Sequence, residues 1–483
     1  MGVEKSTSPV AGLDFDGQLR EMWTRQHGDR QPRAREFVEW LRAVPENSST
    51  GLPRYLQSIF ESSSELQHRY PEVRSGILNR FAWWTGSTGR AEHANIRVLG
   101  HAVPVDRHVP DEGRALDGID VVGFLTTESG IGEAGRTTVA SLRAAGVKVS
   151  TINYTDTLSR TTHPFRTDDV SRHRTLLMAV NADHLSTLHE RMGEHFSRDR
   201  YRIGQWFWEL EQAPEWYNDA WDHVDELWAP TRFIEKMLRD SAPERVKVLH
   251  VPLPVTVPEI DLSVSRADVG LDDRFTFLFA FDFLSVMKRK NPLGLIEAFS
   301  NAFAPGEGPR LVIKAINGEH RPSERQLLEN AAAERPDITV VDQYMSRSFT
   351  SALMAHADCY VSLHKSEGLG LTMSESMSLG TPVIATAYSG NLDFMNDSNS
   401  WLVKWRRVPV GEGAEGYDPG FAWAEPDLAE ASRIMRHVWQ NPAEARAKGE
   451  AARDAILKER TPAVSGAIMR NRLKQIWSEQ SGR

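Results

Sequence analysis

Two glutamates flank a glycine-rich turn in the segment SEGLGLTMSESMSLG, from Ser366 to Gly380. Glu367 precedes the turn, and Glu375 lies eight positions further on, inside a predicted helix. A glycine turn at the start of a helix presents backbone N–H groups and the positive end of the helix dipole, which favours an anion. Carboxylates on either side can accept hydrogen bonds from hydroxyl groups. The spacing therefore predicts a site for a ligand with phosphates and hydroxyls; the alternative is that the glycines only permit the turn and Glu375 faces solvent.

Three consecutive basic residues, Lys288, Arg289 and Lys290, stand in the segment AFDFLSVMKRKNP between a predicted strand and a predicted helix. Fixed cations in a dry cleft would stabilise a phosphate-bearing ligand on which negative charge accumulates. Arg289 could fork two phosphate oxygens, whereas Lys290 would act as a point charge. Cations at a helix N-terminus oppose the helix dipole. The run is therefore better explained by an anion than by a solvated helix start.

A glycine pattern follows the first predicted strand, in the segment TESGIGEAGR. Gly130, Gly132 and a third glycine three positions later match G-x-G-x-x-G, and Asp156 lies about twenty residues beyond. This pattern is typical of dinucleotide-binding folds, so an NAD(P)-dependent oxidoreductase is the alternative function. Glu133 and Arg136 in the same segment either contact a ligand or pair with each other.

The elements that position these motifs alternate between short apolar strands and amphipathic helices, first from Gly118 and again from Thr276. This alternation predicts parallel sheets covered on both faces, and therefore an α/β fold with two facing Rossmann-like domains. Ligands of such sheets bind at the carboxyl ends of the strands, so two facing halves create a crevice. The expected organisation is a helical N-terminal extension (1–115), an N-terminal Rossmann-like domain (116–252), a C-terminal Rossmann-like domain (253–445), and C-terminal helices packing back (446–483).

The first 115 residues lack the strand–helix alternation. The segments 33–44 and 52–67 carry apolar residues at helical spacing, and a polar, proline-containing stretch follows at 101–114. The extension is interpreted as a small domain, a partner-docking unit or a packing lid, and the sequence does not distinguish these.

Composition excludes several classes of protein. Hydrophobic residues make up 40% and charged residues 25%, as in ordinary globular proteins. No run of apolar residues is long enough to span a membrane, and no secretory signal pattern is visible. The single cysteine, Cys359, is consistent with a reducing compartment, so we expect a cytoplasmic protein. The formal net charge of −9 argues against nucleic acid as a partner.

Metal-binding patterns are missing from the sequence. Neither half has a D-x-D pair after a predicted strand, and there is no Cys/His cluster and no H-E-x-x-H. The Asp14 and Asp16 pair belongs to the extension. We therefore expect no metal and no other cofactor.

The acidic motif resembles the signature of the family-four retaining glycosyltransferases, the glycosyl transferases group 1. The resemblance rests on Glu367 and Glu375 with seven residues between them, on the intervening GLGL and on the trailing LGTPVIAT, and it extends over roughly 116–445. It implies the GT-B fold, with 116–252 on the acceptor side and 253–445 binding the nucleotide-sugar donor, and metal-independent hexose transfer with retention of configuration. It also implies that Glu367 contacts the transferred sugar, that Glu375 binds the ribose, and that the backbone of Gly368, Leu369, Gly370 and Leu371 meets the diphosphate.

In this family an arginine and a lysine stabilise the diphosphate. The lysine corresponds to Lys290, while the usual arginine position falls near Ser285, so Arg289 is taken as its substitute. Relatives commonly place a histidine near the sugar, and His184 stands at a suitable strand end; the alternative is a purely structural histidine.

Further assignments follow from the same resemblance. Gly130 and Gly132 would face the diphosphate and sugar from across the crevice, and Tyr344 and Met345 would contact the base. The GQWFWEL segment resembles a W-x-W-E-L segment of bacterial members; its residues Trp206, Trp208 and Glu209 would line the acceptor side or fill the core beneath it.

The predicted reaction uses a nucleotide-sugar donor and a hydroxyl of a glycan, a lipid-linked sugar or a small molecule. Bacterial relatives with the W-x-W-E-L and R-K-N-P segments are often mannosyltransferases of polysaccharide biosynthesis, so GDP-mannose is the first expected donor and a UDP-sugar the second. Peripheral contact with a membrane is left open. The alternatives are the NAD(P)-dependent oxidoreductase and a non-catalytic scaffold of glycosyltransferase fold.

Overall fold

The structure is a computed structural model that describes residues 23–26, 40–45, 48–75, 81 and 114–481, except 158, 194, 195, 259 and 262. The predicted helix at 33–44 lies mostly outside the described residues, as does nearly all of the polar stretch at 101–114. Within the extension, helices α1 (Arg54–Ser62) and α2 (Ser64–Arg69) follow each other. They replace one predicted helical segment at 52–67, because Ser63 interrupts it and caps α2 by accepting the N–H of Leu66.

Six parallel strands form the first sheet, in the order β2-β1-β3-β4-β5-β6. Their bounds are β1 (Ile119–Gly123), β2 (Val149–Asn153), β3 (Thr175–Ala179), β4 (Tyr201–Gly204), β5 (Glu226–Ala229) and β6 (Lys247–His250). Strands β1 and β3 are buried along their whole length, as expected for a parallel sheet covered on both faces. The chain extends the sheet from β1 to β2 on one side and from β3 to β6 on the other. The topological switch point therefore lies between β1 and β3.

The main helices of this half are α3 (Gly130–Ala144), α4 (Leu185–Met192), α5 (Tyr217–Ala220) and α6 (Arg232–Ser241). Helix α3 begins three residues earlier than the predicted start at Glu133, because the Ser129 hydroxyl accepts the N–H of Gly132 at 3.2 Å as an N-cap. The predicted glycine turn is thus the first turn of the helix. Strand β5 and helix α6 are not predicted from the sequence. The start of α6 is nevertheless marked by Thr231, whose hydroxyl caps the helix by accepting the N–H of Ile234.

The second sheet also has six parallel strands, in the order β12-β11-β10-β7-β8-β9. Their bounds are β7 (Thr276–Asp282), β8 (Arg310–Ile316), β9 (Ile338–Asp342), β10 (Cys359–Ser362), β11 (Val383–Thr386) and β12 (Trp401–Val403). The helices between them are α7 (Met287–Lys290), α8 (Pro292–Ala302), α9 (Pro322–Ala333), α10 (Arg347–His356) and α11 (Leu371–Ser378). Here the switch point lies between β7 and β10.

An antiparallel hairpin follows the second sheet. It consists of β13 (Trp405–Pro409) and β14 (Ala422–Pro426), and its connection is rich in glycine. The sequence analysis does not predict this hairpin, because β13 has no clear alternation of apolar and polar residues.

Three helices end the described chain: α12 (Leu428–Gln440), α13 (Pro442–Glu459) and α14 (Pro462–Ser481). The predicted single helix at 443–477 is divided in two, because Pro462 cannot continue a helix but is well suited to start one. Helix α14 returns to the first sheet, where Met469, Leu473 and Ile476 join the core formed by β1 and β3. The chain therefore crosses from the second half back to the first.

Candidate active site

Four loops singled out by the sequence leave strands next to the two switch points. The basic turn follows β7 and the acidic loop follows β10, its neighbour in the second sheet. The glycine segment follows β1, and His184 follows β3, its neighbour in the first sheet. Neighbouring parallel strands end at the same edge of a sheet. Lys290 and Glu367, 77 positions apart, consequently meet.

Glu367 is held between two cations. The Lys290 ammonium donates to Glu367 Oε1 at 2.5 Å, and Arg289 Nη1 lies 3.2 Å from Oε2. Burial alone would raise the pKa of Glu367, but the positive charges of Lys290 and Arg289 outweigh it and hold this pKa at about 2. Burial lowers the pKa of the Lys290 ammonium, while the Glu367 carboxylate opposes that change. Glu367 is therefore a carboxylate at neutral pH.

The two cations differ in the donors they have left. Arg289 Nη1 donates to the carbonyl of Ser366 at 2.8 Å, and Nη2 donates to the carbonyl of Ser285 at 3.1 Å. Its side chain is only 4% exposed, so Arg289 ties the basic turn to the acidic loop. Lys290 has three donor hydrogens, and only the bond to Glu367 occupies one of them among the described residues. Lys290 is therefore the cation with donors available to a phosphate.

The acidic loop is fixed from behind by the turn Ser389-Gly390-Asn391. The Ser389 hydroxyl accepts the N–H of Glu367 at 2.8 Å, and the N–H of Gly390 donates to the Glu367 carbonyl at 2.9 Å. A Cβ at Gly390 would lie 2.0 Å from the carbonyl oxygen of Gly368, so only glycine fits there. Gly370 has φ +91° and precedes α11, which directs the N-terminus of that helix toward the crevice side of the loop.

Glu375 lies half-buried in α11, close to an ion pair that joins the two halves. Arg347 of α10 donates to both carboxylate oxygens of Glu133 in α3, at 3.0 and 3.1 Å. Glu133 also pairs with Arg136 at 2.9 Å, so the predicted local pair forms and has a third member. Burial, reinforced by the Glu133 carboxylate, raises the pKa of Glu375 to about 7, and Arg347 opposes this only in part.

The glycine pattern after β1 has a structural explanation. A Cβ at Gly132 would lie 2.5 Å from the carbonyl oxygen of Thr127, so this glycine allows α3 to pack against its own strand end. Asp156, the predicted ribose ligand of the oxidoreductase alternative, forms an ion pair with Arg191 at 2.7 Å. Both observations weaken the interpretation as a dinucleotide fingerprint.

The predicted donor loops approach each other across the crevice. A Cβ at Gly130 would lie 3.5 Å from Leu371 Cδ1, so the start of α3 faces the start of α11. Leu369, between the glycines, is buried in the core of the second half. At this point the backbone of the first half thus lies against a side chain of the second half.

Tyr344 and Met345 follow β9, as predicted for the base-contacting position. The Tyr344 hydroxyl donates to Asn317 Oδ1 at 2.7 Å, and the Arg160 guanidinium of the first half lies 4.6 Å from its ring centroid. Met345 packs against the core of the second half. The second half therefore touches the first on this side as well.

His184 lies on the wall formed by the first half, with its side chain 31% exposed. Its ring is 5.0 Å from the ring of Phe124, edge to face, and 6.2 Å from that of Tyr154. It thus sits at the end of β3, supported by two aromatic rings.

The two tryptophans of the W-x-W-E-L segment belong to the hydrophobic core, whereas its glutamate belongs to the candidate active site. Trp206 is fully buried and Trp208 is 7% exposed, which favours the packing interpretation for both. Glu209, in contrast, accepts the Tyr417 hydroxyl at 2.9 Å and lies 3.5 Å from Arg289. Tyr417 comes from the glycine-rich hairpin tip, and like Arg347 and Arg160 it carried no motif that the sequence analysis could use.

Neither a metal cluster nor a membrane span is found in the parts of the chain that the structure describes. No group of three or more His, Cys, Asp or Glu side chains is placed to hold a metal ion there. No helix among these residues combines the length and apolar character that crossing a bilayer requires.

Comparison with known proteins gives a family match for part of the second half and a fold for most of the chain. Residues 275–407 match the family described as glycosyl transferases group 1. A D-inositol 3-phosphate glycosyltransferase from a Nocardioides species is 30% identical over 184 residues, which is 34% of this chain and 38% of that relative. The chain thus matches well under half the length of this relative.

Two solved structures are similar over three quarters of the chain. Sucrose-phosphate synthase from Thermosynechococcus elongatus has a TM-score of 0.56 at 14% identity and covers 75% of this chain and 100% of its own. HepE from Anabaena, solved in complex with UDP-glucose, has a TM-score of 0.55 at 12% identity and covers 74% and 100%. At this identity the two structures establish the fold, and the predicted GT-B architecture is confirmed. The chain therefore has the GT-B fold, and residues 275–407 of its second half are similar to the glycosyl transferases group 1.

Proposed function

We propose that this chain is a retaining glycosyltransferase that moves a hexose from a nucleotide-sugar to an acceptor hydroxyl. The observation that carries the proposal is the ionised Glu367, held by Lys290 and Arg289 beside the glycine loop at the switch point of the second sheet. A negative and a positive group so placed suit a donor that presents sugar hydroxyls and a diphosphate together. The group 1 match includes all three of these residues.

Each group has a separate role in the proposed reaction. Lys290 and the N-terminal amides of α11 bind the diphosphate and stabilise the charge that develops as it departs. Glu367 orients the sugar through its hydroxyls, and Glu375 accepts hydrogen bonds from the ribose. Arg289 acts as a positioning residue, since Nη1 donates to the acidic loop at Ser366 and Nη2 donates to its own basic turn at Ser285.

The stereochemical part of the proposal is transfer with retention and without a metal. The leaving phosphate and the attacking hydroxyl occupy the same face of the sugar, and the transition state resembles an oxocarbenium ion. The phosphate takes the acceptor proton as its bond to the anomeric carbon breaks. Closure of the two halves excludes water and limits donor hydrolysis.

For the donor we propose GDP-mannose first and a UDP-sugar second. UDP-glucose is the UDP-sugar to test, because it is the ligand solved with HepE. The acceptor is a hydroxyl of a glycan, a lipid-linked sugar or a small molecule. An inositol phosphate belongs in the acceptor panel because of the name of the Nocardioides relative.

Ligand binding tests the class of reaction. Calorimetry with GDP, UDP, dTDP and NAD should show binding of a nucleoside diphosphate and none of NAD. Binding of NAD alone would instead support the oxidoreductase alternative. Diphosphate binding with neither transfer nor donor hydrolysis would support the non-catalytic scaffold.

A substitution tests the role of Lys290. Lys290→Ala should lower kcat by about 10²–10³-fold, the usual cost of removing one preorganised group from a developing oxyanion. Lys288→Ala is the matched control from the same turn, because the Lys288 ammonium donates to the carbonyls of Val410 and Glu412 in the hairpin. The assay is donor turnover, with thermal unfolding measured on both variants. Equal kcat for Lys290→Ala and wild type would remove Lys290 from the site.

A further inference from the structure

A cavity of about 580 Å³ lies between the first sheet and the N-terminal extension. Glu65 and Arg69 of α2 form one wall. Thr126, which follows β1, and Asn153 at the end of β2 line another wall, and the loop 155–167 lines the rest. These strand ends belong to the edge of the sheet where parallel α/β folds bind their ligands. The volume falls within the usual range of small-molecule sites.

The lining of this cavity is rich in hydroxyl groups, with five threonines among its residues. The side chains of Thr161 and Arg166 make no hydrogen bond to the described residues, and His163 Nδ1 is buried without a partner there. Hydroxyl groups both donate and accept hydrogen bonds, and the hydroxyl groups of a saccharide do the same, so the two surfaces can pair. Phe165 adds an aromatic surface to this polar lining.

Helix α2 is fastened to the floor of the cavity by an ion pair. Arg69 Nη2 lies 3.1 Å from Oδ2 of Asp169, a side chain with no exposure that also accepts the N–H of Asn153 and the hydroxyl of Thr167. The Arg69 side chain remains 35% exposed. The extension is therefore a fixed wall of the cavity at this point.

The charges around the cavity balance each other. Arg69 forms an ion pair with Asp169, which lies outside the lining, while Arg166 and Glu65 form no ion pair with each other and contribute one formal charge of each sign. A balanced lining offers no net attraction to an anion. Its chemistry therefore suits an uncharged saccharide better than a phosphorylated one.

The loop 155–167 also reaches the second half of the protein. Arg160 lies over the ring of Tyr344, and its carbonyl accepts the N–H of Glu128 at 2.8 Å. The residues just after Arg160 line the cavity. One loop therefore separates the cavity from the proposed base-binding side of the donor site.

We propose that this cavity binds the acceptor as an uncharged saccharide, and that the N-terminal extension is the part of the chain that selects it. The proposal rests on the proposed function and moves acceptor recognition away from Trp206 and Trp208, which are buried. It gives α2, which lies outside both sheets, a role in specificity.

The test places a bulky side chain from α2 of the extension into the cavity, in the 483-residue chain. Glu65→Trp places an indole in the cavity, and His68→Trp is the matched control, because His68 is exposed on the same short helix and does not line the cavity. Binding of methyl α-D-mannopyranoside, methyl β-D-galactopyranoside, sucrose and myo-inositol phosphate is followed by saturation-transfer NMR, and transfer to the sugars that bind is followed by donor turnover. Thr161→Ala, which removes a hydroxyl without an internal partner, serves as a second and milder variant.

We expect Glu65→Trp to weaken binding of an uncharged sugar, and to raise its KM, by about tenfold or more, a loss of about 1.4 kcal/mol. The affinity of Glu65→Trp for the nucleoside diphosphate should stay at the wild-type value. In His68→Trp, sugar binding and nucleoside diphosphate affinity should both stay at the wild-type values. Loss of sugar binding in a protein without transferase activity would support the cavity while refuting the proposed function. The inference is overturned if no uncharged sugar binds, if only the inositol phosphate binds, or if Glu65→Trp and His68→Trp behave alike.

Discussion

Glu375 should destabilise the protein when it is ionised, because its carboxylate is removed from water and stands near the Glu133 carboxylate. Its side chain accepts no hydrogen bond from the described residues, and burial together with Glu133 raises its pKa from 4.5 to about 7. At 1.36 kcal/mol per pKa unit, this corresponds to about 3 kcal/mol against the charged form. Glu375→Gln removes the charge and keeps the shape of the side chain.

The sign of the effect follows from proton binding. The folded state has the higher pKa, so between pH 4.5 and about 7 it binds more protons than the unfolded state. Stability is therefore lost as the pH rises through this window. The cost is absent below pH 4.5 and complete above about pH 7. Glu375→Gln should consequently be more stable than wild type at pH 8 and nearly equal to it at pH 4.5.

Thermal unfolding at the two pH values measures this difference. A gain of about 3 kcal/mol corresponds to about 6–12 °C for a unit of 150–250 residues. Glu450→Gln is the control, since Glu450 is exposed on α13 and makes no ion pair with the described residues. The same Glu375→Gln variant should bind the nucleoside diphosphate more weakly, because a ribose hydroxyl loses a charged acceptor.

Two results would refute this reasoning about Glu375. One is a variant that is no more stable than wild type at pH 8. The other is a gain of the same size at pH 4.5 and pH 8, which would mean that ionisation is not the cause. A gain at pH 8 without loss of diphosphate affinity would retain the electrostatic argument but remove Glu375 from the ribose site.

Two further predictions concern the first half. Arg472→Met should lower the free energy of unfolding by about 3 kcal/mol, because it leaves the fully buried Glu226, 2.7 Å away, without its cation, although Tyr201 and Trp228 still donate to the carboxylate. Denaturant unfolding would show this, and an effect no larger than that of the exposed Lys474→Met would contradict it. Ser129→Ala should cost about 1 kcal/mol by removing the N-cap of α3; unchanged stability in urea would show that the cap does not hold the start of this helix.

Much of the architecture follows from local patterns in the sequence. Buried strands such as IDVVG can be predicted from a short apolar run, and amphipathic helices such as α12 from the spacing of their apolar residues. Both patterns depend only on near neighbours in the chain. The acidic loop and the basic turn were found in the same way, since a glycine turn or a run of cations is a local feature. The hairpin β13–β14 was missed because its residues show no such regularity.

The arrangement of the site depended on contacts between distant residues. The sequence determined that Glu367, Lys290 and Arg289 were candidates, but only the order of the strands placed β7 beside β10 and brought the three together. Only the tertiary structure showed that both terminal nitrogens of Arg289 donate to protein carbonyls, which leaves its buried Nε without a partner among the described residues, while Lys290 retains donors.

Burial and long-range pairing are likewise properties of the folded chain. Trp206 could have lined a crevice or filled a core, and the sequence fits both equally. The contact between Arg347 and Glu133 joins residues 214 positions apart that no motif connects. Residue type and spacing determined which groups could do the chemistry. Packing of one half against the other decided which of them face a ligand, because solvent exposure and charge pairing depend on neighbours that are remote in the chain.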